Sequence, residues 1–208
     1  MVDKISIYIL DNILYKNEKI ESDQREMMIF GITRIVEDIP KYLIILIISI
    51  CFKILPMVGI VLGVTVAYKT FIGGAHARTN IGCLISSSIY FLAPVFISKN
   101  VNISLKTLYF FIVAIFIFSL YVIVKRAPAD TEEIPIINKK KRKLFKMFAF
   151  LSLITIYIFT LTIIKSLNIK IMIFITILLI DTFATKPLYK FFNCKYSYES
   201  DEFKQYFN

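Results

Sequence analysis

An all-α integral membrane protein is the fold class this sequence predicts, and three observations predict it. The 208 residues are 57% hydrophobic with a mean hydropathy of +0.70, too apolar for a water-soluble domain of that length. The apolar residues come in long runs: Leu105 to Val124 holds a single charge, Lys106 near its start, and Met147 to Ile164 holds none. A bilayer core takes about 20 apolar residues to cross as a helix, and no soluble core accounts for several such runs. Lysine and arginine, finally, gather in alternate loops, the pattern that orients a multi-pass protein. Segments 41 to 53, 56 to 68, 81 to 97, 105 to 124, 144 to 164 and 169 to 185 give about six membrane helical segments, the first two short. They form a single membrane domain over 1 to 208, with an amphipathic region to residue 40 and a cytoplasmic tail from residue 186.

At the start of the chain Ile5, Ile9, Leu10, Ile13 and Leu14 line one face of a helix. Such a helix lies flat in the headgroup region or packs on the rest of the protein, and the pattern fits both. Lys4, Asp11, Lys16, Glu18, Lys19 and Glu21 interrupt every apolar run before residue 26, and no small-residue cleavage site follows one. A retained N-terminus is therefore expected. A second amphipathic stretch sets Met27, Met28, Ile29, Phe30, Ile32, Ile35, Val36 and Ile39 beside Arg25, Glu26, Arg34, Glu37 and Asp38. It reads as a helix ending at Pro40, because proline disfavours helical geometry in the residue before it.

Between the two short segments lie Lys53 and Pro56, a charge and a helix breaker, so 41 to 68 either crosses once or folds back as a hairpin. Charge decides for the hairpin. With a cytoplasmic N-terminus, all of the 25 Lys and Arg except Lys53, Lys99, Lys106, Lys165 and Lys170 then fall inside. A single crossing splits them almost evenly and leaves Lys53 in the membrane. Both termini and the stretch 69 to 80 are thus expected at the cytoplasmic surface of the membrane. The hairpin arms, about a dozen residues each, are short enough to dip in rather than span. A site there receives a substrate from the interface while partly excluding bulk water.

Of the later loops, the one from Lys125 to Lys146 holds Ala127-Pro128-Ala129-Asp130 and Pro135, then the run Lys139-Lys140-Lys141-Arg142-Lys143. That run reads as a topology anchor on anionic headgroups or as a dock for an acidic ligand. No internal repeat, Gly-rich phosphate loop or nucleic-acid module is present, and the net charge of +10 is accounted for by the inside loops. Three cysteines, Cys51, Cys83 and Cys194, without CxxC spacing suggest neither a disulfide framework nor a zinc site, and no metal or other cofactor is expected. Cys51 reads as a small packing residue, and Cys194 lies in the polar tail with no obvious partner.

The candidate seat of chemistry is the pair His76 and Cys83, in Phe71-Ile72-Gly73-Gly74-Ala75-His76-Ala77-Arg78-Thr79-Asn80-Ile81-Gly82-Cys83. His76 is the single histidine. A thiol is a strong nucleophile as thiolate, and a neighbouring imidazole is the usual way to make one near neutral pH. On an unbroken helix the two residues are about 10 Å apart along the axis, too far for a hydrogen bond, so the helix must break between them. Thr79 or Asn80 is a good N-cap, which puts Cys83 in the first turn of the next helix, where backbone N–H groups also serve an oxyanion. His76 then takes the thiol proton and returns it to the leaving amine. Acyl transfer is the expected reaction, and exclusion of water favours passing the acyl group to another thiol over hydrolysis. A third, orienting residue is open between Asp130 in an inside loop and Asp181 near the inner end of the last helix. The plainer reading of Asp181 is a helix-end residue paired with Lys186.

Lys69-Thr70-Phe71-Ile72-Gly73-Gly74-Ala75-His76-Ala77, followed by Cys83 and Ser86, resembles the accessory gene regulator B (AgrB) family: a basic residue, a glycine pair, His-Ala, and a Cys seven positions after the His. Phe30-Gly31-Ile32 after Glu26 looks like the family's N-terminal segment, and Ala127 to Asp130 with Pro135 and the Lys run looks like its central loop. The likeness covers most of residues 20 to 186. It implies a cysteine endopeptidase of a bacterial cell membrane that cuts the C-terminal part of a quorum-sensing propeptide (AgrD-like), holds the rest as a thioester, and promotes closure to a thiolactone or lactone. Carried over by position, Cys83 is the nucleophile and His76 the general base, with Lys69, Gly73, Gly74 and Asn80 around them as candidate orienting or substrate-contacting residues. The partners implied are the propeptide, with its amphipathic leader and acidic tail, the bilayer, and a second copy in a homodimer. Lys69 stands where the family often has Arg, and Ala75 where it often has an aromatic.

Two other classes fit less of the chain. A small transporter or export component makes the glycine-broken hairpin a gate and His76 a proton carrier, but the later spans hold few polar residues and no repeat. A non-catalytic assembly partner leaves the His76 and Cys83 spacing a coincidence.

Overall fold

The computed structural model describes residues 2–14, 22–77, 79–101, 103–132 and 135–199, and the regular structure among them is helical throughout. Lys16, Glu18, Lys19, Glu21, Arg78 and the side chains of Ile13, Leu14, Met27, Phe30 and Arg34 lie outside the described residues. The chain divides into two units, Met1–Lys53 and Ile54–Asn208.

In the first unit α1 (Val2–Ile9) runs into a wider π-helical turn, Leu10–Leu14, and packs on α2 (Ser22–Cys51). The packed face is not the purely apolar one: Ile5 is 43% exposed, whereas Leu10 and Ser6 are buried, and Thr33 Oγ1 donates to Ser6 Oγ at 2.9 Å. An exposed Arg25–Asp11 pair at 2.8 Å adds little, since such pairs contribute about 1 kcal/mol or less.

Pro40 does not end the helix, contrary to the sequence expectation. The amphipathic stretch and the first short membrane segment are one helix with Pro40 inside it. Proline removes one N–H bond, here the one to the Val36 carbonyl, and that single loss does not stop a helix whose apolar residues continue on both sides. Just beyond it Lys41, 8% exposed, pairs with Asp38 one turn back at 2.7 Å. The expected break at Lys53 is present: α2 ends at Cys51, Lys53 takes a positive φ of 54°, and a new helix begins at Leu55.

The second unit contains α3 (Leu55–Ile72), α4 (Asn80–Asn100), α5 (Leu105–Lys125), α6 (Lys139–Thr162), α7 (Leu167–Phe183) and the short α8 (Lys186–Phe191), followed by a 3-10 turn at Ser197–Glu199. The first four starts each have a local cause. Pro56 stands in the first turn of α3, where its missing N–H has no intrahelical partner to lose. Thr79 caps α4, Ser104 caps α5 and Asn138 caps α6 by accepting backbone N–H groups.

Four helices among the described residues, α3 to α6, are long and apolar enough to cross a membrane. The second hairpin arm is a helix of 18 residues, longer than expected, because Lys69, Thr70, Phe71 and Ile72 continue it beyond residue 68. Lys69, expected in the stretch after this segment, lays its ammonium 4.5 Å from the Tyr90 ring centroid. α7, of 17 residues, packs against α3, α4 and α5 and is apolar nearly all round, as a helix enclosed by others must be. The outer faces stay greasy: Phe110, Ile117 and Val124 on α5 and the stripe Ile81, Ile85, Ile89 on α4 are all more than half exposed. So large an apolar surface belongs in lipid.

One end of this unit gathers the C-terminus of α3, the N-terminus of α4, the C-terminus of α5, the N-terminus of α6 and the tail after α7. The site is built there.

Candidate active site

After α3 the chain turns on Gly73, whose φ of 78° and ψ of −152° suit a residue without Cβ. An added Cβ would overlap the Ala129 carbonyl, because Gly73 pairs with Ala129 as a parallel bridge. Ala129 N–H donates to the Ile72 carbonyl at 2.7 Å, and Gly74 N–H donates to the Ala129 carbonyl at 2.9 Å. The next residue is held from another side, since Ala75 N–H donates to the Phe183 carbonyl at the end of α7 at 2.8 Å. His76 follows, exposed, in a non-helical stretch. Its carbonyl accepts the Cys194 thiol at 2.8 Å.

The helix then restarts. Thr79 is extended, its Oγ1 accepts Gly82 N–H at 3.1 Å, and Cys83 N–H donates to the Thr79 carbonyl at 2.8 Å. Cys83 therefore sits in the first turn of α4, half-buried, with its own carbonyl accepting Ser86 Oγ at 3.1 Å. Asn80 is the first helical residue and is exposed. The N–H groups of Asn80 and Ile81 have no intrahelical acceptor by helix geometry, and the positive end of the α4 dipole lies with them. Of the two N-caps the sequence allowed, Thr79 is the one used. Thr79→Ala is expected to cost about 1 kcal/mol at the α4 start, seen as a lower unfolding midpoint in detergent, with Thr79→Ser close to the parent.

The two candidate carboxylates have different surroundings. Asp181 is fully buried where α3, α5 and α7 meet, accepting Tyr68 Oη–H at 2.9 Å and Ser119 Oγ–H. Lys186 is paired not with it but with Glu199, at 2.8 Å. Asp130 stands beside the Gly73 bridge. Its Oδ2 accepts Arg142 Nη1 at 2.7 Å, Ser197 Oγ at 2.6 Å and Ile136 N–H at 2.8 Å, while its buried Oδ1 has no hydrogen bond among the described residues. Arg142 is thereby drawn out of the basic run, which the sequence reading treated as one block. No cluster of three or more His, Cys, Asp or Glu that could hold a metal ion occurs among the described residues.

The tail makes contacts to this site that no motif in its sequence announces. Tyr189 Oη–H donates to the Ala129 carbonyl at 2.6 Å, Tyr189 stacks on Tyr196 at 3.8 Å, and Tyr196 Oη–H donates to the Ala184 carbonyl at 2.7 Å. Burial raises both phenols above their ordinary pKa, so they remain donors at any physiological pH. Arg126 lies 5.6 Å over the Tyr196 ring. The signal available was a cluster of tyrosines, Tyr189, Tyr196 and Tyr198, in a segment expected to be solvated.

A family profile described as Accessory gene regulator B matches residues 7–185. AgrB-like protein 2 of Clostridium perfringens (strain 13 / Type A) is 27% identical over 164 residues, covering 76% of this chain and 75% of that one. An AgrB-like protein of Clostridium beijerinckii is 25% identical over 197 residues, covering 92% and 91%. Protein FsrB of Enterococcus faecalis (strain ATCC 47077 / OG1RF) is 29% identical over 102 residues, covering 49% and 42%. No solved structure matches the chain.

Proposed function

Since the chain belongs to the accessory gene regulator B family, whose members act in quorum-sensing peptide processing, we propose that it is a membrane-embedded cysteine endopeptidase and acyltransferase. Its substrate is an AgrD-like propeptide, cut near its C-terminal side and closed to a thiolactone or lactone.

Cys83 is the nucleophile and His76 the base. The thiol proton passes to the imidazole as sulfur attacks the scissile carbonyl. The C–N bond then breaks, the same proton goes to the leaving amine, and the N-terminal portion stays on Cys83 as a thioester. A thiol or hydroxyl of that portion attacks the thioester, forms the ring and releases Cys83. The Asn80 and Ile81 N–H groups are suited to hold the oxyanion.

The observation that carries this reading is the broken helix. A pinned stretch bearing His76 leads into a Thr79-capped α4 with Cys83 in its first turn. Cytoplasmic placement is supported by charge, because Lys125, Arg126, Lys139 to Lys143, Lys186, Lys190 and Lys195 lie at the site's end of the unit, and Lys99, Lys106, Lys165 and Lys170 at the other.

Coexpression with the propeptide, followed on a gel, tests the assignment. His76→Ala should lower cleavage on the order of 10³-fold or more, while Cys51→Ala cuts like the parent. Undiminished cleavage by His76→Ala would remove the proposed base and the mechanism with it.

A further inference from the structure

His76 is bracketed by backbone anchors. Ala75 N–H is fixed to the end of α7 just before it, and its own carbonyl is fixed by the Cys194 thiol just after it. With the main chain held on both sides, the imidazole is left two side-chain torsions to search, which is how a base is kept within reach of its partner. The second of these anchors comes from the tail.

The same tail also holds what Gly73 and Gly74 lean on. Both lone pairs of the Ala129 carbonyl are taken, one by Gly74 N–H and the other by Tyr189 Oη–H. Ser197 Oγ–H donates to Asp130, and Tyr196 forms an antiparallel bridge with Thr131. Residues 189–197 thus grip the 129–131 loop on one side and the His76 carbonyl on the other.

We propose that the C-terminal segment 189–197 is a clamp that sets the backbone of His76, with Cys194 and Tyr189 as positioning residues for the peptidase reaction. It rests on the peptidase reading. Cys194 acts through the backbone it bonds and Tyr189 through the loop carbonyl it shares with Gly74. Neither touches substrate in this role.

The test measures initial rates of Cys83 alkylation by iodoacetamide in the membrane-inserted full chain. A Cys51→Ala background is used, and modification of the Cys83 peptide is followed by mass spectrometry. His76→Ala should slow Cys83 strongly. Cys194→Ala and Tyr189→Phe should each slow it about three- to tenfold, the effect of one neutral hydrogen bond, and lower single-turnover cleavage equally at unchanged propeptide KM. Cys194→Ser, which keeps a donor, should restore the rate. In a His76→Ala background, Cys194→Ala should add nothing, because the clamp works through the imidazole.

Slowing by His76→Ala with no effect of Cys194→Ala or Tyr189→Phe would overturn the clamp and leave the peptidase reading standing. Equal slowing by Cys194→Ala with and without His76 would mean a general loss of fold, and would also overturn it. No slowing by His76→Ala would overturn the catalytic pair and the clamp together.

Discussion

Cys83→Ala is expected to reduce propeptide cleavage to the uncatalysed level, a loss on the order of 10⁴-fold or more, with propeptide binding retained. The effect is this large because, in the proposed mechanism, the sulfur forms the bond that splits one difficult step into two easier ones. Folding should hardly change. Cys83 is half-buried in a helix turn whose N–H bond goes to the Thr79 carbonyl, and its carbonyl accepts Ser86 Oγ–H, two bonds made by main-chain atoms that alanine keeps. Alanine is also the best helix former. The check pairs single-turnover cleavage with a binding titration of labelled propeptide in the same vesicles. Cys83→Ser sharpens it, since the hydroxyl is similar in shape but far harder to deprotonate, and it should cut almost as poorly as alanine.

The second large effect is expected from Gly73→Ala. A side chain there meets two obstacles at once: a φ of 78° that L residues rarely adopt, and the Ala129 carbonyl in the space a Cβ needs. The neighbour is backbone, itself bonded by Gly74 N–H and Tyr189 Oη–H, so it has little freedom to move aside. Strain of this kind costs about 1–3 kcal/mol where it persists. The chain relieves it by parting Gly73 from Ala129, which unmoors the stretch carrying His76. A displacement of about 1 Å at a catalytic group lowers rate on the order of 10²-fold, and that is the expected loss in cleavage. Gly31→Ala, at a position where an added Cβ meets nothing within 4 Å, is the comparison and should cut normally.

What could be read in advance follows from which forces act locally. Helix positions were legible because long apolar runs between charged loops leave no alternative: α4, α5 and α7 begin and end within three residues of the expected places, whereas α6 starts at Lys139, five residues early, and takes in the basic run expected to be loop. The helix break before Cys83 was legible because Gly73, Gly74 and Thr79 each state a local preference. Pro40 and Lys69 misled for a shared reason. Proline and charge both suggest a boundary, yet α2 absorbs the lost N–H and Lys69 finds an aromatic face on Tyr90. The long-range ties stayed hidden, because nothing near Cys194 in sequence announces a carbonyl 118 positions away, and nothing in a basic run singles out Arg142 as the partner of Asp130. Asp181 stands out in sequence near the end of the last helix, but its partners Tyr68 and Ser119 come from helices far off in sequence.

The most direct test is to quench the reaction of protein and propeptide in acid and locate the acyl group by mass spectrometry. The account predicts the N-terminal portion of the propeptide attached to Cys83 through a bond that hydroxylamine cleaves, and absent in Cys83→Ala. Ring product formed with no adduct on Cys83, or with the adduct on Cys194 instead, would contradict it.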